Sequence, residues 1–97
     1  MASEKIRVNY PALEEMAKNC DQTAQRLQQT ASLAGKISAQ MQNGALQGEF
    51  GDTFVQALGV FAQKVNKLAT KFTEEAGDIR GAMSDMRAAD QKAGGKF

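Results

Sequence analysis

The sequence predicts an all-α fold, a helix-turn-helix hairpin that dimerises into an antiparallel four-helix bundle. Three observations predict it. Apolar or small residues recur at alternating steps of four and three in both halves of the 97-residue chain. Glycines cluster between the halves, and the apolar stripes are wider than the single contact line of one hairpin can cover.

The first helix is expected over residues 10–42. Pro11, the only proline, suits a first helical position, with Asn9 or Tyr10 as the cap and Glu14 and Glu15 near the positive end of the helix dipole. Its seam reads Leu13, Ala17, Cys20, Ala24, Leu27, Ala31, Ala34, Ser38, Met41, and the alanines permit close approach. Met16, Thr23, Thr30 and Ile37 flank it. The turn is expected over 43–51, where Gly44, Gly48 and Gly51 can adopt backbone angles that end a helix and reverse the chain. The second helix is expected over 52–90, capped by Asp52 or Thr53. Its seam reads Phe54, Leu58, Phe61, Val65, Leu68, Phe72, Glu75, Ile79, Ala82, Met86, with Val55, Ala62, Ala69, Ala76 and Met83 as a flanking row. Residues 91–97 lose the periodicity and read as a flexible tail. The whole is read as one helical-hairpin domain. Leu13, Cys20, Leu27, Phe54, Leu58, Phe61, Val65, Leu68, Phe72 and Ile79 are the residues expected to line the dimer interface.

Composition limits the function. Lys and Arg number 12 against 11 Asp and Glu, so no net charge draws the chain to nucleic acid. There is no histidine and a single cysteine, which removes the commonest general base, the usual metal ligands and any intrachain disulfide. Cys20 lies on the seam as a small apolar residue. Glu74, Glu75, Asp78 and Asp85 read as a solvated helix face rather than an acid/base pair, and the glycine-rich turn lacks the Lys-Ser/Thr ending of a phosphate loop. No enzymatic activity, metal or cofactor is expected. No apolar run approaches the ~20 residues needed to cross a bilayer. The N-terminal residues lack the pattern of a cleavable signal, so synthesis in the cytoplasm is expected.

Partner choice therefore rests on shape and apolar surface. The row Ala57, Lys64, Lys71, Asp78, Asp85 on the second helix is self-complementary: two such helices laid antiparallel set Lys64 against Asp85 and Lys71 against Asp78, in both directions. That favours a second copy of the same chain.

Around the turn, Leu46-Gln47-Gly48 is followed by Phe54, giving a large apolar residue, a glycine two on and an aromatic eight on, between two long helices. This resembles the WXG family of small type VII (ESX) secretion proteins, in which a Trp-x-Gly turn joins two helices. Leu46 stands where the tryptophan would be. Near the other end, Ile79-Arg80-Gly81-Ala82 and then Met86-Arg87-Ala88-Ala89-Asp90 resemble the family's C-terminal Ile-Arg-x-Ala and Tyr-x-x-x-Asp/Glu elements, with Met86 in place of tyrosine. The resemblance implies a helical-hairpin dimer, formed with itself or a paralogous hairpin. It implies export in the folded state and recognition by the membrane ATPase of the secretion system, with Met86 and Asp90 as the export signal. Two other readings fit a short helical hairpin. One is a subunit of a secretion needle or filament, which would polymerise head to tail. The other is a membrane-active effector using the apolar stretch from Phe54 to Val65, although its polar face lacks the basic cluster that anionic lipid attracts.

Overall fold

The computed structural model describes residues 8–45 and 48–94. Two long helices, α1 (Tyr10–Gln40) and α2 (Glu49–Gly94), lie antiparallel and are joined by a turn. Asn9 caps α1: its side-chain oxygen accepts the Ala12 N–H at 3.0 Å, and its carbonyl accepts the Leu13 N–H at 3.1 Å. Pro11 follows in the first turn, where its missing N–H costs nothing. Glu14 and Glu15 lie one turn further on, too far along to count as first-turn acids.

The reversal differs from the expected 43–51. After Gln40 the chain makes one wide turn, Met41–Ala45, inside which Gly44 leaves helical geometry with φ 118°. Gly48 also has a positive φ, 98°, a region open to glycine and costly for other residues. The Gly48 carbonyl then accepts the Asp52 N–H at 3.0 Å, so α2 starts at Glu49, with Glu49 and Asp52 as acids in its first turn. Asp52 and Thr53 are helical residues rather than caps. At the other end α2 runs through Gln91 to Gly94, so the expected tail is helical over these residues. Residues 95–97 lie outside the described residues.

Along α1 the predicted seam is the one that packs. Ala17, Ala24, Ala31 and Ala34 are buried, and Leu13, Cys20, Leu27, Ser38 and Met41 are half-buried. On α2 the assignment of rows is corrected. The row expected to flank is the one that faces α1: Ala69, Ala76 and Met83 are buried, with Val55 and Ala62 half-buried. Leu58, Val65, Phe72 and Ile79 alternate with these residues to complete a heptad seam. Phe54, Phe61, Leu68, Glu75 and Ala82, once per seven residues, face outward. The physical reason is size. Alanines on both helices let the backbones approach, and the bulkier row is displaced to the flank.

The result is long and thin. The molecule measures 74 × 23 × 15 Å with a radius of gyration of 22.0 Å, against ~13 Å for a compact chain of this length. Among the described residues, the buried hydrophobic core consists of alanines and Met83, and no large side chain is fully enclosed.

Candidate interaction surface and recognition end

The two faces of the hairpin differ. On one, Arg80 of α2 bridges to α1: Nη1 donates to Asp21 Oδ2 at 2.7 Å, and Nε and Nη2 reach Glu14 Oε1 at 3.4 Å. Glu14 and Asp21 are seven residues apart, two turns on one face, so a single guanidinium fixes the register of the two helices. The hydrogen bond to Asp21, with the Coulombic pull of both carboxylates and against an opposing desolvation, holds the Arg80 pKa above its ordinary value.

Helical periodicity turns the other face over to the outward row of α2 and to Met16, Thr23, Thr30 and Ile37 of α1. Here Phe54, Phe61 and Leu68 retain between 45% and 47% of their surface. Phe50, four residues before Phe54, retains 86%. Phe50, Phe54, Ala57 and Phe61 follow at steps of four, three and four along one face of α2, and Leu68 continues that face beyond the exposed Lys64. Beyond it, Leu68, Lys71, Phe72 and Glu75 line a shallow depression where the stripe gives way to charge.

The ten residues expected at the dimer interface thus divide. Phe54, Phe61 and Leu68 are exposed, whereas Leu13, Cys20, Leu27, Leu58, Val65, Phe72 and Ile79 are half-buried along the intrachain seam. Of the turn motif, Gly48 supplies a positive φ and Phe54 stands on α2, while Leu46 lies outside the described residues. Lys64, Lys71, Asp78 and Asp85 are all exposed.

At the open end, Met86 and Asp90 lie one turn apart on α2, both exposed. Asp90 is not solitary. The Tyr10 hydroxyl donates to Asp90 Oδ2 at 2.7 Å, and the Arg87 guanidinium sits 4.6 Å from the centre of the Tyr10 ring. The hydrogen bond to Asp90, then desolvation, raises the tyrosine pKa above its ordinary 10.0. The sequence marks Tyr10 as a helix start or cap and Arg87 only as part of the Met86–Asp90 element, and it gives Phe50 no role. The sequence signal for Phe50 is its spacing from Phe54, Ala57 and Phe61, which is that of a helix face. Tyr10 and Asp90 are 80 positions apart, and no local pattern links them.

Among the described residues, no helix is long and apolar enough to cross a membrane, and no group of His, Cys, Asp and Glu is arranged to hold a metal ion.

These features define a class: a long two-helix hairpin with an alanine-rich internal seam and with Phe50, Phe54, Phe61 and Leu68 facing outward. The chain matches the family WXG100, described as proteins of 100 residues with WXG, over residues 5–91, and it belongs to that family. It is accordingly a small type VII secretion-associated protein. It has no tryptophan, so the residue that gives the family its name is replaced here. No curated protein and no solved structure matches the chain.

Proposed function

We propose that this chain is a substrate of a type VII (ESX) secretion system, exported as a folded helical dimer and recognised by the system's ATPase through Met86 and Asp90. The observation that carries the reading is the family match, which spans both helices and includes Met86 and Asp90. Two features support it. The stripe from Phe50 to Leu68 is solvent-exposed in a single hairpin, and burying the remaining half of such a side chain is worth on the order of 1 kcal/mol. Met86 and Asp90 present an apolar group and an acid on one exposed helix face. The role is one of binding and transport, without catalysis.

The partner favoured by the surface is a second copy. The antiparallel pairing of two α2 helices that sets Lys64 opposite Asp85 and Lys71 opposite Asp78 also brings Phe61 level with Ala88 and Ala89. It brings Leu68 level with Gly81 and Ala82. Bulky side chains then meet small ones at Phe61 and Leu68 in the register that the charges select, whereas Phe54 and Phe50 fall past the Gly94 end of the second α2.

The test is export from the native host. The chain is followed in culture filtrate with and without the type VII ATPase, beside an Asp90→Ala variant whose dimer is verified by light scattering. ATPase-dependent export that is lost in the variant, with the dimer intact, is the expected result. Retention of the wild type in the cytoplasm in every strain would exclude secretion.

A further inference from the structure

We infer that Tyr10 is a positioning residue for Asp90, so that the recognition end is assembled across both helices rather than written in the α2 tail alone. The inference rests on the reading of Met86 and Asp90 as the export signal and adds to it a residue from the opposite end of the chain.

Three observations carry it. First, the contact is specific. Tyr10 donates to one carboxylate oxygen, Oδ2 of Asp90, at 2.7 Å, and Arg87 closes over the face of the same ring at 4.6 Å. Arg87 and Asp90 are three residues apart, on one face of α2, so the phenol ring is held between a cation and an anion of the neighbouring helix. Second, the contact corrects an unfavourable position. An acid close to the C-terminus of a helix opposes the negative end of its dipole. Asp90 is instead reached by the first residue of α1, the end of that helix which carries positive charge. Third, the contact lies at the edge of the hairpin. Among the described residues it is the outermost hydrogen bond between the two helices, and α2 continues to Gly94 beyond it.

A carboxylate has acceptor capacity on both oxygens, and Tyr10 occupies only Oδ2. The acid is thereby held in one orientation relative to Met86, one turn earlier, and the acceptor capacity of Oδ1 is left for a receptor's donor. Holding a side chain in its bound orientation before the encounter removes part of the ordering cost of binding. It also ties recognition to the closed hairpin, because the hydroxyl arrives from α1. An unfolded chain carries the same Met86 and Asp90 without the third group.

The chain has one tyrosine and no tryptophan, so phenolate absorbance reports Tyr10 alone. In an alkaline titration of the full chain, Asp90→Ala should lower the tyrosine midpoint towards 10.0, because the acceptor that holds the proton on is gone. An unchanged midpoint means that the contact does not exist in solution and overturns the inference. The functional arm measures affinity of the purified chain for the ATPase in wild type, Tyr10→Phe, Asp90→Ala and the double variant, with helicity and dimer checked in each. Tyr10→Phe removes one oxygen and keeps the ring. It should weaken binding several-fold, with no further loss when added to Asp90→Ala, as expected if it acts through that acid. Full affinity of Tyr10→Phe beside weakened Asp90→Ala overturns the positioning role and leaves Asp90 as the signal. An equal loss in both backgrounds also overturns it, since a purely structural role would be additive. Unaltered binding by Asp90→Ala removes the signal reading itself.

Discussion

Ala69 and Ala76 sit on the α2 seam with essentially no surface exposed. Their small size is a requirement of the packing, because a larger side chain has no void to enter. Ala69→Leu or Ala76→Leu should destabilise the hairpin by about 1–3 kcal/mol through overpacking, read as a lowered thermal midpoint in circular dichroism. Ala57→Leu, on the exposed row, should leave the midpoint of the isolated hairpin nearly unchanged. A second residue-scale expectation concerns pH. The Tyr10 hydroxyl has a folded pKa raised above 10.0, first by its hydrogen bond to Asp90. A group raised in the folded state contributes stability below its unfolded pKa and loses that contribution as pH rises through the folded value. The open end should therefore loosen only in strongly alkaline solution, seen as faster amide exchange over Arg87–Ala93, with Tyr10→Phe showing faster exchange there already at neutral pH.

Glycines behave differently within the elements and between them. Gly59 lies inside α2 with open space around the position of a Cβ, so Gly59→Ala should stabilise the helix by about 0.5–1 kcal/mol. Gly48 has equally open space but φ 98°, so Gly48→Ala should cost about 1–2 kcal/mol. Denaturant midpoints shifting in the same direction for both would contradict this description of the turn. The same contrast explains what was legible in the sequence. The α1 seam from Leu13 to Met41 could be read because small and apolar residues alternate in one heptad register without a rival row. On α2 two rows compete, Phe54–Phe61–Leu68 and Val55–Ala62–Ala69, both recurring every seven residues. Apolar content favours the first as the core, but close helix approach selects the second, a property of the pair of helices that neither sequence stretch carries alone. The start of α2 lies earlier than the expected 52 because Gly51, which looks like a turn residue, is tolerated in a first helical turn. The Tyr10–Asp90 contact depended on the inter-helix register, which Arg80 sets through Glu14 and Asp21.

At the scale of the whole molecule, a hairpin 15 Å thick has no second layer, and Phe50, Phe54, Phe61 and Leu68 remain at its surface. Apolar surface of this kind drives association without choosing register, since it gains from any overlap with another apolar surface. In the proposed dimer, charge supplies the choice. In the antiparallel pairing of two α2 helices, Lys64 with Asp85 and Lys71 with Asp78 occur twice by symmetry, giving four opposed pairs per dimer. Each exposed pair is worth only about 0–1 kcal/mol, so the pairs add modestly to affinity, whereas four like-charge juxtapositions exclude the register. Lys64→Glu with Lys71→Glu should therefore convert a dimer to monomer or to a shifted, weaker association in light scattering at low salt. Asp78→Lys with Asp85→Lys should do the same by the opposite sign. All four substitutions together restore every pair with its polarity reversed and should return the dimer. Recovery in the fourfold variant is the decisive outcome, because loss in the double variants alone could follow from altered net charge. Failure to recover, or dimers indifferent to the double reversals, would mean that the stripe is covered by a different hairpin or in a different register.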